Sequence, residues 1–420
     1  MKKEIIRTDE APHPPAPFAQ AVRAGGYVML SGQTATDFRS AVALGARGNP
    51  EFPHFHSDIR LQSECIFENV SAVLKAAGSS IERVIKIQTL NEEMSEFAGH
   101  IPLRRKWLTG PPPASTAIEG GSCIPGCKIL IDIVGVTDEI EPEYFNTDRA
   151  PRPLAPYSQA VRAGDFWLLA GVLASDFRTG VAPEARVNPA FPLFESSIKK
   201  QTAFVLDTIA VILEAAGTSL ERIVKVQVTL TDISDFYGFE EVWRSYFPQN
   251  PPARTVYEGG LVNPGMRIEV DVIALAGDSP LKIEPIETEK IPVPSVHQPQ
   301  AVRAGDLIFS SGILATDFKE GVSPEARINP NFPNYIARGE AQTDCCLTYL
   351  ETLLEAAGSG LGGILKTWTY HTDMADLADS LVSWRNHLGD NLLASTTSGT
   401  GGLIVPGCSV MTEAIALAES

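Results

Sequence analysis

Cysteine and histidine are scarce in this sequence. Six cysteines and seven histidines are spread over 420 residues, and neither occurs between residues 140 and 279. So thin and irregular a set excludes the disulfide framework of a small secreted scaffold and points to a reducing setting. Cys123 and Cys127 stand four apart, but no second cluster completes a zinc site. His54 and His56, two apart and among prolines, read as a surface loop. Positive charge is also in deficit. With 34 Lys and Arg against 51 Asp and Glu, the net charge is -17, which argues against nucleic acid and anionic membrane surfaces and favours solubility. No apolar run approaches the roughly 18 residues of a membrane span. Met1-Lys2-Lys3-Glu4 has no apolar stretch behind it, so no signal peptide is expected and the protein reads as cytoplasmic.

What the sequence has in abundance is repetition. A chain of this length suggests about two to four domains. Gln-Ala-Val-Arg-Ala-Gly begins at Gln20, Gln159 and Gln300, at offsets of 139 and 141. Asp-Phe follows at Asp37, Asp176 and Asp317, and Asn-Pro at Asn49, Asn188 and Asn329. Ala-Ala-Gly ends at Gly78, Gly217 and Gly358, and Pro-Gly starts at Pro125, Pro264 and Pro406. The order predicts three copies of one domain, over residues 1–139, 140–279 and 280–420. Glu139–Glu143 and Gly277–Ile286, acidic and proline-bearing, read as linkers short enough to make the copies pack together.

Each copy predicts the same elements. Strands come first, around Tyr27–Ser31, Phe166–Ala170 and Leu307–Ser311, then a long loop, then a helix. In the second copy Val205, Ile209, Ile212, Leu213 and Ala216 form its core-facing stripe. Cys346 lies on the same stripe of the third copy and is expected in the core. Gly78, Gly217 and Gly358 stand where a helix ends on a left-handed residue. An alternating strand follows, with Val224, Val226, Val228 and Leu230 opposite Lys225, Gln227 and Thr229. A second helix carries Phe239, Val242, Trp243 and Tyr246. The runs from Pro252 to Thr255 and from Arg267 to Val272 flank a Gly/Pro turn and read as a closing β-hairpin. The expected fold is α+β, a mixed sheet covered by two helices in each copy.

Three stretches of the second copy carry a resemblance: Pro156-Tyr157-Ser158-Gln159-Ala160-Val161, Pro252-Ala253-Arg254-Thr255, and Arg267 through Ala274. Taken in order, they resemble the Rid family, the YjgF-like reactive-intermediate deaminases. The resemblance implies trimers with clefts between subunits, and hydrolysis of imine or enamine carboxylates to a keto acid and ammonia without metal or organic cofactor. It implies that Arg254 binds the substrate carboxylate, that Glu269 positions a water and that Tyr157 belongs to the same site. Gly171 and Glu240 are further substrate-binding candidates, although Ala170-Gly171-Val172 stands where the family commonly has Ser-Gly and Glu240 where some members have asparagine. Three fused copies then imply an intramolecular pseudo-trimer, alone or in a higher assembly. Its partners would be a small carboxylate-bearing metabolite and, upstream, an enzyme that makes imines.

The other copies lack these residues. Ser115, Leu130 and Phe18 replace Arg254, Glu269 and Tyr157 in the first. Ser395 or Thr396, Met411 and Gln298 replace them in the third. Loss of both charged groups together predicts that Arg254 and Glu269 touch, since removing one partner of a buried pair costs about 3–5 kcal/mol while removing both can be neutral. One cleft is therefore expected to hold the whole site. Glu258 is a weaker candidate. Asp271 reads as structural, because Asp132 matches it in a copy without the pair. Two other readings stand beside this one. Ser115 and Ser395 with the recurring Lys86, Lys225 and Lys366 suggest a Ser–Lys amide hydrolase. The degenerate clefts suggest a metabolite-binding scaffold without turnover.

Overall fold

The computed structural model describes residues 1–52, 54–332 and 335–418; the last two residues of the expected third copy lie outside them. It contains three seven-stranded sheets. Six α-helices occur among the described residues: α1 (Asp58–Ala76), α2 (Phe97–Trp107), α3 (Ser197–Ala215), α4 (Phe236–Tyr246), α5 (Arg338–Ala356) and α6 (Leu377–Leu388). Each sheet carries two helices on one face. The α+β architecture in three tandem units is as the repeats predict.

Local sequence accounts for these elements. The stripe on α3 buries Val205, Ile209, Ile212 and Leu213 against its sheet, and Ser196 caps the helix by accepting the Lys199 N–H at 3.4 Å. Gly78, Gly217 and Gly358 have φ of +75°, +77° and +73°, the left-handed region that ends a helix without a Cβ clash. Cys346 is fully buried among core leucines.

Strand order departs from the sequence reading. The sheet of the second unit runs Ala253–Glu258, Ile223–Leu230, Ile268–Leu275, Phe166–Leu169, Ala160–Ala163, Glu143–Phe145. Ala253–Glu258 and Ile268–Leu275 are therefore not a hairpin, because Ile223–Leu230 lies between them. The reason is α4. A strand, a helix and a second strand form a crossover that lays the two strands parallel and adjacent, and Ile223–Leu230 pairs in parallel with Ala253–Glu258. The Gly/Pro segment then passes over the inner strand. A second departure is a bulge between Ile223 and Lys225, repeated in the other units, which turns Val224 toward the molecular axis while Val226 and Val228 stay under the helices. The expected linkers also end as edge strands, Glu143–Phe145 and Ile283–Ile286.

The faces away from the helices meet on an axis. Tyr27, Phe166 and Phe309 join one apolar core drawn from all three units, with ring centroids 6.5 Å apart for Tyr27–Phe166 and 5.8 Å for Phe166–Phe309. Around it runs a ring of buried ion pairs. Lys86 meets Asp271, Lys225 meets Glu413, and Lys366 meets Asp132 at 2.6 Å. Each pair joins one unit to the next, and the third closes the ring. The N-terminal ammonium, 2.6 Å from Asp306, adds to that closure.

Candidate active site

Three seams separate the units, and backbone hydrogen bonds define each. Gly171 N–H donates to the Ser115 carbonyl at 3.1 Å, Gly312 N–H to that of Arg254 at 3.0 Å, and Gly32 N–H to that of Ser395 at 3.0 Å. Ser395, and not Thr396, is thus the third unit's counterpart of Arg254. In every seam one unit supplies the end strand of its sheet, and the next supplies a glycine beside the position of Glu269.

This arrangement corrects the expected contact between Arg254 and Glu269. Arg254 pairs in register with Val226, whose side chain lies under α3 and α4. Glu269 pairs with Thr229, on the other face. The two residues point to opposite sides of the sheet and serve different seams. Arg254 belongs to the seam of the second and third units. Its guanidinium packs over Phe236, Phe239 and Trp243 at 5.6, 5.1 and 4.9 Å. Its Nε donates to Gln298 Oε1 at 3.2 Å, and its Nη2 lies 2.8 Å from Glu240 Oε2. Glu240 also sits 2.9 Å from Arg244 and accepts the His297 N–H at 2.7 Å. That seam has Met411 at the glutamate position, so its one carboxylate beside the guanidinium is Glu240, which is already paired with it.

Glu269 belongs to the seam of the first and second units. It is 3% exposed and its Oε2 has no hydrogen-bond partner. Burial first, and then the Asp271 carboxylate, raise its pKa to about 8, partly offset by Lys86. Gly171 leaves room for this carboxylate, since a Cβ there would stand 1.9 Å from Glu269 Oε1. Tyr157 lies close by, its phenol pushed up by burial and by Glu269, and drawn down by Arg104.

Arg104 is the residue that sequence reading missed. It projects from α2 of the first unit, is 1% exposed, and donates from Nη1 to Ser115 Oγ at 2.8 Å. Neither its Nε nor its Nη2 has a partner. The repeats held a signal for it. Trp243 and Trp384 occupy the matching helix position in the other units, so the first unit has exchanged an arginine on the strand for one on the helix. The third seam carries no charge at these positions. Phe18 meets Trp384 edge-on at 5.6 Å, beside a cavity of about 190 Å³ lined by Leu130, Leu377, Leu381 and Ser395.

The Ser–Lys arrangement is not formed. Lys86 Nζ donates to Thr116, the Leu169 carbonyl and Asp271, and Ser115 faces Arg104. Lys366 likewise serves Thr396 and the Leu30 carbonyl. These lysines, with Asp271, hold the units together. No cluster of three or more metal-ligating side chains occurs among the described residues.

Gly171→Ala is expected to displace the Glu269 carboxylate while leaving the fold intact, since the Gly171 backbone lies outside the left-handed region. A shift of about 1 Å in a reacting group lowers kcat on the order of 100-fold. Steady-state kinetics with circular dichroism on the same sample checks it.

Fold and seams define an α+β protein that completes its clefts between units. A family model described as Endoribonuclease L-PSP matches residues 8–137 and again 147–276, and the chain belongs to this family, that of the Rid/YjgF proteins. A RutC family protein of Pyrococcus horikoshii is 39% identical over 132 residues, 31% of this chain and 96% of the relative. The human 2-iminobutanoate/2-iminopropanoate deaminase is 31% identical over 133 residues, 32% of this chain and 89% of the relative. The solved structure of RidA from an Antarctic Psychrobacter is 28% identical, covers 32% of this chain and 98% of its own, and aligns with a TM-score of 0.26.

Proposed function

We propose that the chain is a hydrolytic deaminase of 2-imino or enamine carboxylates, acting at the seam of the first and second units. The observation that carries this reading is Glu269, a buried carboxylate with a free oxygen and a pKa near 8, beside Tyr157 and across the seam from a half-paired guanidinium. The deaminase activity named for the human relative points the same way. An iminium carbon is already electrophilic, so the protein has little to add. Glu269 takes a proton from water as the oxygen attacks the C=N carbon, and a carbinolamine forms. Its nitrogen receives that proton, Glu269 takes the hydroxyl proton as the C–N bond breaks, and a 2-oxo acid and ammonia leave, the ammonia carrying the last proton away as ammonium. A base of pKa near 8 suits these transfers at neutral pH. Tyr157, held neutral, donates a hydrogen bond to the reacting groups.

The test generates 2-iminobutanoate in the assay and follows its loss. Accelerated decay with matching ammonia release is expected. Decay at the rate of buffer alone would leave a binding protein without turnover. Arg254, placed in the other seam, takes no part in this scheme. Arg254→Met is expected to keep kcat/KM within about threefold while lowering stability by about 1–3 kcal/mol, less than a fully opened pair because Glu240 keeps Arg244 and the His297 N–H. Kinetics and urea unfolding on one preparation separate the two effects.

A further inference from the structure

A buried guanidinium with no anion beside it is an unstable arrangement, because desolvation of the charge is offset by no counter-charge. Arg104 is in that state. Its Nε and Nη2 are buried and free, its Nη1 is held by a neutral hydroxyl, and burial lowers its pKa to about 10. Nε and Nη2 of one guanidinium form an edge of two parallel N–H donors, the shape that receives a carboxylate with two hydrogen bonds. Ser115 fixes the third nitrogen and so sets the orientation of that edge. His100, one helical turn before Arg104, is kept neutral by burial and by Arg104 itself, and its Nδ1 is bonded to Ser63 at 2.9 Å.

We infer that Arg104, delivered from helix α2 and oriented by Ser115, is the carboxylate-binding residue of the Glu269 seam, so that this unit binds the substrate anion from its helix layer and not from its sheet. The inference rests on the deaminase reading for its substrate class. It goes beyond it in assigning the clamp to a helix residue that stands where the other two units have tryptophan. The charge on the ligand is thereby one carboxylate: a single free guanidinium edge matches one planar anion. The aromatic cage that holds Arg254 in the second unit shows the alternative solution, an arginine on the strand with Trp243 on the helix. The first unit has the reciprocal pair, and the two solutions should be exchangeable.

Two measurements test this in the full chain: imine turnover, and calorimetric titration with 2-oxobutanoate. Arg104→Met is expected to raise KM and weaken 2-oxobutanoate binding by on the order of 30- to 1000-fold, with a smaller change in kcat. Arg104→Lys keeps charge and stem but lacks the fork, and is expected to recover only part of the affinity. The double exchange Arg104→Trp with Ser115→Arg should restore binding to within about tenfold of the parent. Glu269→Gln, by contrast, should bind 2-oxobutanoate normally while turning over poorly. Binding unchanged in Arg104→Met overturns the clamp whatever the turnover shows. Should Arg104→Met fail to fold, Arg104→Lys with full affinity overturns it. If the parent chain shows no turnover yet binds 2-oxobutanoate through Arg104, the deaminase reading fails and the carboxylate site stands.

Discussion

Replacing Glu269 by glutamine is expected to make the protein more stable and nearly inactive at once. The amide keeps the shape of the side chain and removes the base, so kcat should fall about 100- to 10,000-fold with little change in KM. Stability moves the other way because of where the carboxylate sits. In the unfolded chain Glu269 ionises near its ordinary 4.5, and in the fold near 8. The folded state therefore holds the proton more tightly between those values. Stability from this group is full below about pH 4.5, declines across the interval, and is gone above about 8. The loss is on the order of 3–5 kcal/mol. Glutamine does not titrate, so the variant should match the parent at pH 4.5 and exceed it increasingly up to pH 9. The parent's kcat/KM should rise with pH and level off above about 8, as a base of that pKa becomes ionised. Urea unfolding and pH–rate profiles at five or six pH values provide both readings. A variant no more stable than the parent at pH 9 would show that the carboxylate is not held unpaired in the seam.

Opening the ring of ion pairs should produce the largest loss of stability. Lys366 and Asp132 are 1% and 4% exposed and join the third unit to the first. Lys366→Met leaves Asp132 buried with Thr396 as its remaining partner, at an expected cost of about 3–5 kcal/mol. Burial already holds the Lys366 pKa below its ordinary value despite Asp132, which shows how weakly the pair offsets its own desolvation. Adding Asp132→Leu should therefore recover most of the loss, since neutral groups of similar size replace both charges. Unfolding curves of the two single variants and the double variant form a cycle. A double variant no better than either single would mean that the contact is not the unit of stability there.

Much of this protein is legible in the chain taken alone, and the legible part is local. The offsets of the repeated Gln-Ala-Val-Arg-Ala-Gly segments establish three units. The helical stripe around Val205 and Ile209 and the glycines at 78, 217 and 358 locate helices and their ends. The structural weight of Asp271 follows from Asp132 in a unit without the pair. The helices and their ends depend on neighbours a few residues apart, which periodicity records directly, and the rest is comparison of one copy with another. Strand order is not of that kind. Whether Ala253–Glu258 lies beside Ile268–Leu275 depends on where α4 returns the chain, so the tertiary structure decided it. Parity did carry one warning. Arg254 shares its strand face with apolar Val256, while Glu269 alternates with apolar Val270, so both could face the helices only if one strand turned over. The seam partners lay further from view. Tyr157 lies near enough to both Glu269 of its own unit and Arg104 of the first unit to feel either charge. Such a seam exists only once the sheets close about the axis and bring the Gly171 N–H to the Ser115 carbonyl of the neighbouring unit.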